Sequence, residues 1–240
     1  MTSLQRCWGV LPAAGVGRRM GGAVPKQYCS LAGRLVIEHA LDRLLGHPSI
    51  ERVCVALATG DLWWDDCCYA GHERVVRVEG GAERSTSVLN ALGWIERYAD
   101  PEDWVMVHDA ARPCLRGADI DRLMEALADD AVGGILACRI NDTIKLETSG
   151  GTIAETIPRE RLWRALTPQM FRFGLLYASL NNAQRLGKSV TDEASAIELA
   201  GLRPRLVEGH ADNIKITHLE DLDLAAFYLQ RQSRSLQPPE

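Results

Sequence analysis

Short β-rich apolar runs alternate along the chain with longer stretches in which apolar residues recur at helical spacing. That rhythm marks strand–helix–strand units around a mainly parallel sheet. The run Cys7–Pro12 reads as a first strand opening into a glycine-rich loop. Residues 35–45 read as a helix, with Leu35, Ile37, Leu41, Leu44 and Leu45 clustering on one side. Strands are expected over 52–58 and 74–78, then a helix over 85–98 that gathers Val88, Leu89, Leu92 and Ile95 on one face. Trp104–Val107 reads as a strand ending at His108-Asp109, followed by a helix over 118–128 and a strand over 132–138.

The rhythm breaks at 140–157, where two short β-like pieces flank Thr148-Ser149-Gly150-Gly151, a hairpin signal. In an α/β domain such a hairpin is expected to project as an arm that covers a site or grips another subunit. The core pattern resumes with helices over 173–186 and 193–200, a strand Arg205–Glu208 and a closing helix over 219–230. The tail 237–240 is Pro-rich and reads as frayed. These elements predict one doubly wound, Rossmann-like α/β domain over 1–240, with a protruding β-arm at 139–160.

Composition narrows the function. The 240 residues are 46% hydrophobic, enough for a sizeable core, and a net charge of -5 excludes a general nucleic-acid binder while leaving small anionic substrates open. Seven cysteines include no CxxC pair, so they read as reduced, mostly buried thiols. Residues 1–10 carry no secretory signal, and no run approaches the roughly 18 apolar residues of a membrane span. The expectation is a soluble cytoplasmic protein.

The loop after the first strand, Leu11-Pro12-Ala13-Ala14-Gly15-Val16-Gly17-Arg18-Arg19-Met20-Gly21, is built to let backbone N–H groups approach phosphate oxygens. A dinucleotide fingerprint finds Gly15 and Gly17 in place but Met20 at its third glycine, and the GxxxxGK[ST] loop is absent. Arg18, Arg19 and Lys26 add the fixed cations that a reaction at a nucleoside triphosphate needs. One such charge pair at ~4 Å and an effective dielectric of ~20 is worth roughly 4 kcal/mol.

Together with Pro25-Lys26-Gln27-Tyr28, this loop resembles the sugar-nucleotidyltransferase superfamily, and within it the 2-C-methyl-D-erythritol 4-phosphate cytidylyltransferase family. Further matches follow in family order: Gly80-Gly81-Ala82-Glu83-Arg84 with Ser87-Val88, Val107-His108-Asp109-Ala110-Ala111-Arg112-Pro113, and Asp142-Thr143-Ile144-Lys145. Leu166-Thr167-Pro168-Gln169, Thr191-Asp192-Glu193-Ala194 and Asp212-Asn213-Ile214-Lys215 complete the set, which runs from Leu11 to about Leu229.

The resemblance implies transfer of CMP from CTP to 2-C-methyl-D-erythritol 4-phosphate with release of pyrophosphate, a step of non-mevalonate isoprenoid biosynthesis. It implies catalytic roles for Arg19, Lys26 and Lys215, and CTP binding by Ala13, Ala14, Gly15, Gly17, Gly81 and Ser87. Arg112, Thr143, Arg159, Thr167 and Thr191 would hold the acceptor, with Thr143 and Arg159 lent across a two-fold axis by a homodimer partner. Asp109 would bind Mg²⁺, with Asp212 a second candidate, while His108 packs inside because a phosphate nucleophile needs no base. Ala82 stands where the family commonly has Asp, which bears on base selectivity. Trp63, Trp64 and Trp163 read as core or dimer packing. Ribitol 5-phosphate as acceptor and a non-catalytic nucleotide-binding module are the alternative readings; neither a membrane nor a nucleic acid is an expected partner.

Overall fold

The computed structural model describes residues 6–15 and 24–235. Seven strands form its main sheet: β1 (Cys7–Pro12), β4 (Ile50–Leu57), β5 (Val75–Glu79), β6 (Trp104–Val107), β7 (Gly133–Arg139), β10 (Trp163–Arg172) and β11 (Arg205–Glu208). They lie side by side in the order β11-β7-β10-β6-β1-β4-β5. The helices are α1 (Val36–Leu45), α2 (Arg84–Ile95), α3 (Gly117–Leu127), α4 (Phe173–Arg185), α5 (Glu193–Leu199) and α6 (Glu220–Ser235). Strands β1, β4, β5 and β6 pair in parallel, as do β7 and β11.

Alternation along β1 decides how the helices are sorted. Cys7 and Leu11 point into a core shared with Ile37, Leu41 and Leu44 of α1 and with Ile120 and Leu123 of α3. Trp8 and Val10 point the other way, against Val88 and Leu92 of α2, Leu176 of α4 and Ile197 of α5. Both faces of the sheet are therefore covered, as the uninterrupted apolar strands require. Helix α6 closes a smaller cluster with Leu31, Val36, Cys114 and Ile216.

Strand β10 corrects the sequence reading, which placed nothing between 158 and 172. It lies inside the sheet, antiparallel to both β6 and β7. Pro168 hid it, because a proline demotes a run from central-strand status. The structure accommodates Pro168 where the β7 register shifts between Ala165 and Gln169, so no ladder donor is required there.

β8 (Ile144–Glu147) and β9 (Ile153–Ile157) form a separate two-stranded antiparallel sheet. Two apolar side chains on it, Leu146 and Ile153, are 49% and 65% exposed. A further short pair joins β2 (Ser30–Leu31) to β3 (Arg34–Leu35).

All seven cysteines are free thiols. Burial pushes Cys7, Cys54, Cys67 and Cys114 up to about 12, so these are inert packing groups. Trp64 is buried, Trp63 stacks on Tyr28 at 5.9 Å, and Trp163 lies beneath the Arg139 guanidinium at 4.3 Å. Among the described residues no helix is long and apolar enough to cross a membrane.

Candidate active site

The chain leaves β1 toward β4 on one side and returns to β6 on the other, so the sheet reverses direction beside β1. Crevices at such a reversal, outside the carboxyl ends of the strands, are where open α/β sheets bind ligands. A cleft opens there. Its walls are Pro12 to Gly15 after β1, Lys26 and Gln27, Gly81 to Arg84 and Ser87 after β5, Asp109 to Ala111 after β6, and Lys215.

Close backbone approach brings the first two walls together. A Cβ on Gly80 would stand 2.4 Å from the Ala14 Cβ, so only glycine lets the β5 loop lie against the β1 loop. The Gly80 amide donates to the Leu57 carbonyl at 2.7 Å, and the Gly81 amide donates to Ser87 Oγ at 3.0 Å. Buried Gln27 staples the other side, its Nε2 donating to the carbonyls of Ala13 at 2.7 Å and Gly15 at 3.2 Å. That role for Gln27 has no signal in the sequence beyond its place beside Lys26.

Asp109 is the electrostatic centre. Arg84 Nε donates to its Oδ1 at 2.9 Å, Lys215 Nζ lies 2.8 Å from Oδ2, and Arg112 Nε lies 3.5 Å from Oδ2. Burial alone would raise this carboxyl's pKa, but Arg84, Lys215 and Arg112 outweigh burial and hold it well below the usual carboxylate range. It is an anion at any physiological pH.

Behind it, His108 is fully buried between Thr167 Oγ1 at 2.9 Å and the Arg112 carbonyl at 3.0 Å. Burial pushes its imidazole down to about 4, so it is neutral. A carbonyl only accepts, which places the proton on Nε2 and makes Nδ1 the acceptor of the Thr167 hydroxyl. Thr167 Oγ1 in turn accepts the Asp109 amide at 3.1 Å. His108 and Thr167 thus fix the 108–112 turn that presents Asp109 and Arg112.

The expected site residues among those described fall into three groups. Ala13, Ala14, Gly15, Lys26, Gly81, Ser87, Asp109 and Lys215 share the cleft. Thr167 and Arg112 stand just behind it, Arg112 donating to the Asn213 carbonyl at 2.8 Å. Thr143, Arg159 and Thr191 do not line it: all three are exposed, with Arg159 bonded to the Asn141 carbonyl and the Thr191 amide donating to Ser195 Oγ. Gly17 and Arg19 lie outside the described residues.

Asp212 stands apart from the cleft. It is paired with Arg116, accepts from Gln232 Nε2 at 3.3 Å, and lines a separate depression with His210 and Tyr228. These contacts all fall on Oδ2; Asp212 lies outside the cleft that holds Asp109, and its Oδ1 is buried without a hydrogen-bond partner among the described residues. Among the described residues no three His, Cys, Asp or Glu side chains gather as a metal cage. Asp109 presents an anionic oxygen to the cleft beside Lys215, which suits Mg²⁺ held by one carboxylate plus substrate phosphate oxygens.

A cleft of backbone amides and cations at the switch point of a doubly wound sheet defines a nucleotidyltransferase. The model of the family described as 2-C-methyl-D-erythritol 4-phosphate cytidylyltransferase matches residues 8–231. The chain belongs to that family. It is 52% identical over 226 residues to the 2-C-methyl-D-erythritol 4-phosphate cytidylyltransferase of Hahella chejuensis, covering 94% of each chain. Against the enzyme of that name from Aeromonas hydrophila it is 53% identical over 225 residues, 93% of this chain and 90% of the relative. Of solved structures, the Francisella tularensis cytidylyltransferase superposes with a TM-score of 0.80 at 36% identity, covering 93% of this chain and 99% of that one. The Thermus thermophilus enzyme gives 0.77 at 30% identity over 94% and 99%.

Proposed function

We infer that the protein transfers CMP from CTP to 2-C-methyl-D-erythritol 4-phosphate, forming 4-diphosphocytidyl-2-C-methyl-D-erythritol and pyrophosphate in non-mevalonate isoprenoid precursor biosynthesis. The observation that carries this reading is the convergence of Lys26, Lys215 and Asp109 on a cleft floored by the glycine-rich loop, in a member of this family.

In the reaction an oxygen of the acceptor phosphate attacks the α-phosphorus of CTP. A new O–P bond forms, the bond to the bridging oxygen breaks, and its electrons leave with pyrophosphate. The nucleophile is already an anion, so no base is required and catalysis rests on positioning and charge stabilisation. Neutral, buried His108 is consistent with that chemistry.

Lys26 approaches the triphosphate from the β1 side and Lys215 from the far wall, with Arg19 the third cation. Amides of 14 and 15 cradle phosphate oxygens, and the Gly81–Ser87 segment reads the base. Ala82 lines the cleft. Asp109 would hold Mg²⁺, which supplies neutralisation of the triphosphate.

Arg112, Thr167 and Thr191 serve the acceptor, completed by Thr143 and Arg159 of a partner subunit in a homodimer. Their distance from the cleft in one chain and the exposed Leu146 and Ile153 on the β8–β9 hairpin support that assembly. The protein acts in the cytoplasm on small molecules, with no nucleic-acid or membrane partner.

The test is pyrophosphate release with CTP, Mg²⁺ and 2-C-methyl-D-erythritol 4-phosphate, against UTP, ATP and ribitol 5-phosphate. Selective turnover of the first pair is the expected result. Preference for ribitol 5-phosphate would change the pathway and keep the mechanism, while silence with every pair would leave a nucleotide-binding module.

A further inference from the structure

Arg84 is the first residue of α2, and its guanidinium joins two carboxylates that the sequence keeps far apart. Its Nε donates to Asp109, while its two terminal nitrogens grip Glu193 as a fork at 2.6 and 3.0 Å. Glu193 is the first residue of α5 and is 0% exposed. The Arg84 guanidinium is the counter-charge that faces this buried carboxylate, at 2.6 Å. The mechanism above gives Glu193 no part, since it does not line the cleft.

The backbone at Glu193 is itself immobilised. Asp192 caps α5 by accepting from the Ser195 amide at 3.0 Å, and Gln169 of β10 bonds both Asp192 and the Ala194 amide. Glu193 is therefore a fixed anchor on the sheet. Arg84, by contrast, follows the Gly80-Gly81 loop and is held at its tip by this pair.

We propose that Glu193 is a positioning residue for the nucleotide half of the site: through the Arg84 fork it sets the Asp109 carboxylate and the Gly81–Ser87 loop in their working geometry. The proposal rests on the cytidylyltransferase reading. It assigns Glu193 no contact with substrate. A guanidinium can fork onto Glu193 and still direct Nε at Asp109, whereas a lysine ammonium keeps the charge without that geometry.

The test is steady-state kinetics of purified Glu193→Gln, Arg84→Lys and the double variant with CTP, Mg²⁺ and the acceptor phosphate, beside thermal melts and calorimetric CTP affinity. Each single variant is expected to lose about tenfold or more in kcat and raise the CTP KM, as small misplacements near the reacting centre do. The acceptor KM stays near wild type. The double variant is no worse than the poorer single, because Glu193 acts only through Arg84.

A purely structural role would loosen α5 and move the acceptor KM through nearby Thr191, leaving Arg84→Lys unlike Glu193→Gln. That pattern overturns the proposal, as do losses that multiply in the double variant or a folded Glu193→Gln with wild-type kcat. Should Glu193→Gln fail to fold, Arg84→Lys decides, since wild-type kcat and CTP affinity there also overturn it. A wild-type enzyme silent toward every acceptor counts against the cytidylyltransferase reading instead. In that event, matched losses of CTP affinity support the positioning role and unchanged affinities overturn it.

Discussion

Lys215 Nζ rests 2.8 Å from Asp109 Oδ2, while Arg84 holds the opposite oxygen of the same carboxylate at 2.9 Å. The two cations differ in freedom. Arg84 is pinned from behind by Glu193, whereas the Lys215 side chain is 37% exposed and ends a flexible four-carbon stem. Asp109 thus parks Lys215 at the rim of the cleft, within reach of a triphosphate that enters it.

Removing either wall's ammonium should be costly. Lys26→Ala and Lys215→Ala are each expected to lower kcat by roughly 10²-fold or more, the usual loss for one transition-state donor. Rates from initial pyrophosphate release, with circular dichroism confirming the fold, check this. A wild-type rate in either variant removes that lysine from the mechanism.

The contact between Gly80 and Ala14 predicts a binding defect with a steric origin. Gly80→Ala forces a Cβ to within 2.4 Å of the Ala14 Cβ, so the two phosphate-side loops must separate. Such overpacking typically costs ~1–3 kcal/mol. The CTP KM should rise and the melting temperature fall, and a Gly80→Ala enzyme matching wild type in both would show that the loops are not held by this contact.

His108 sets an acid-side stability window. Its folded pKa of about 4 lies below the ordinary ~6.5, because burial disfavours the imidazolium. The unfolded chain therefore takes up this proton first, and the stability present above about pH 6.5 is lost as pH falls toward 4, by up to about 3 kcal/mol. Asp109 has a depressed pKa, so its contribution is lost only below the ordinary carboxylate value of ~3.9, a separate window. Urea melts between pH 7.5 and 5 should show a shallower loss for His108→Gln than for wild type. Equal slopes would rule out an uncharged His108.

The homodimer reading predicts complementation. Arg19→Ala and Arg159→Ala chains should each be inactive alone. After subunit exchange, mixed dimers carry one intact site, and partial activity should return. No recovery after exchange verified by native mass spectrometry would place both residues in one chain's site.

Much of this architecture was legible without coordinates because helical and strand periodicities are local. The expected helix over 118–128 and the observed Gly117–Leu127 differ by one residue at each end, and Trp104–Val107 coincides with β6. The hairpin signal at Thr148 to Gly151 falls between β8 and β9. The glycine-rich loop with Lys26 was legible from phosphate chemistry, and the remaining motif residues to Lys215 from the family resemblance.

Tertiary structure decided what no local pattern encodes. Strand β10 was hidden by Pro168, and only the register shift against β7 lets that proline sit inside a sheet. Asp212 stands in a motif yet answers to Arg116, a partner 96 positions away. Arg84 and Glu193 lie 109 positions apart in two separate motifs, and nothing in either motif announces their pairing. Periodicity along a chain reports which face of an element is buried. Which charge meets which is set by folding, when burial makes an unpaired ion too costly and leaves only those placements in which each buried charge has its counter-ion.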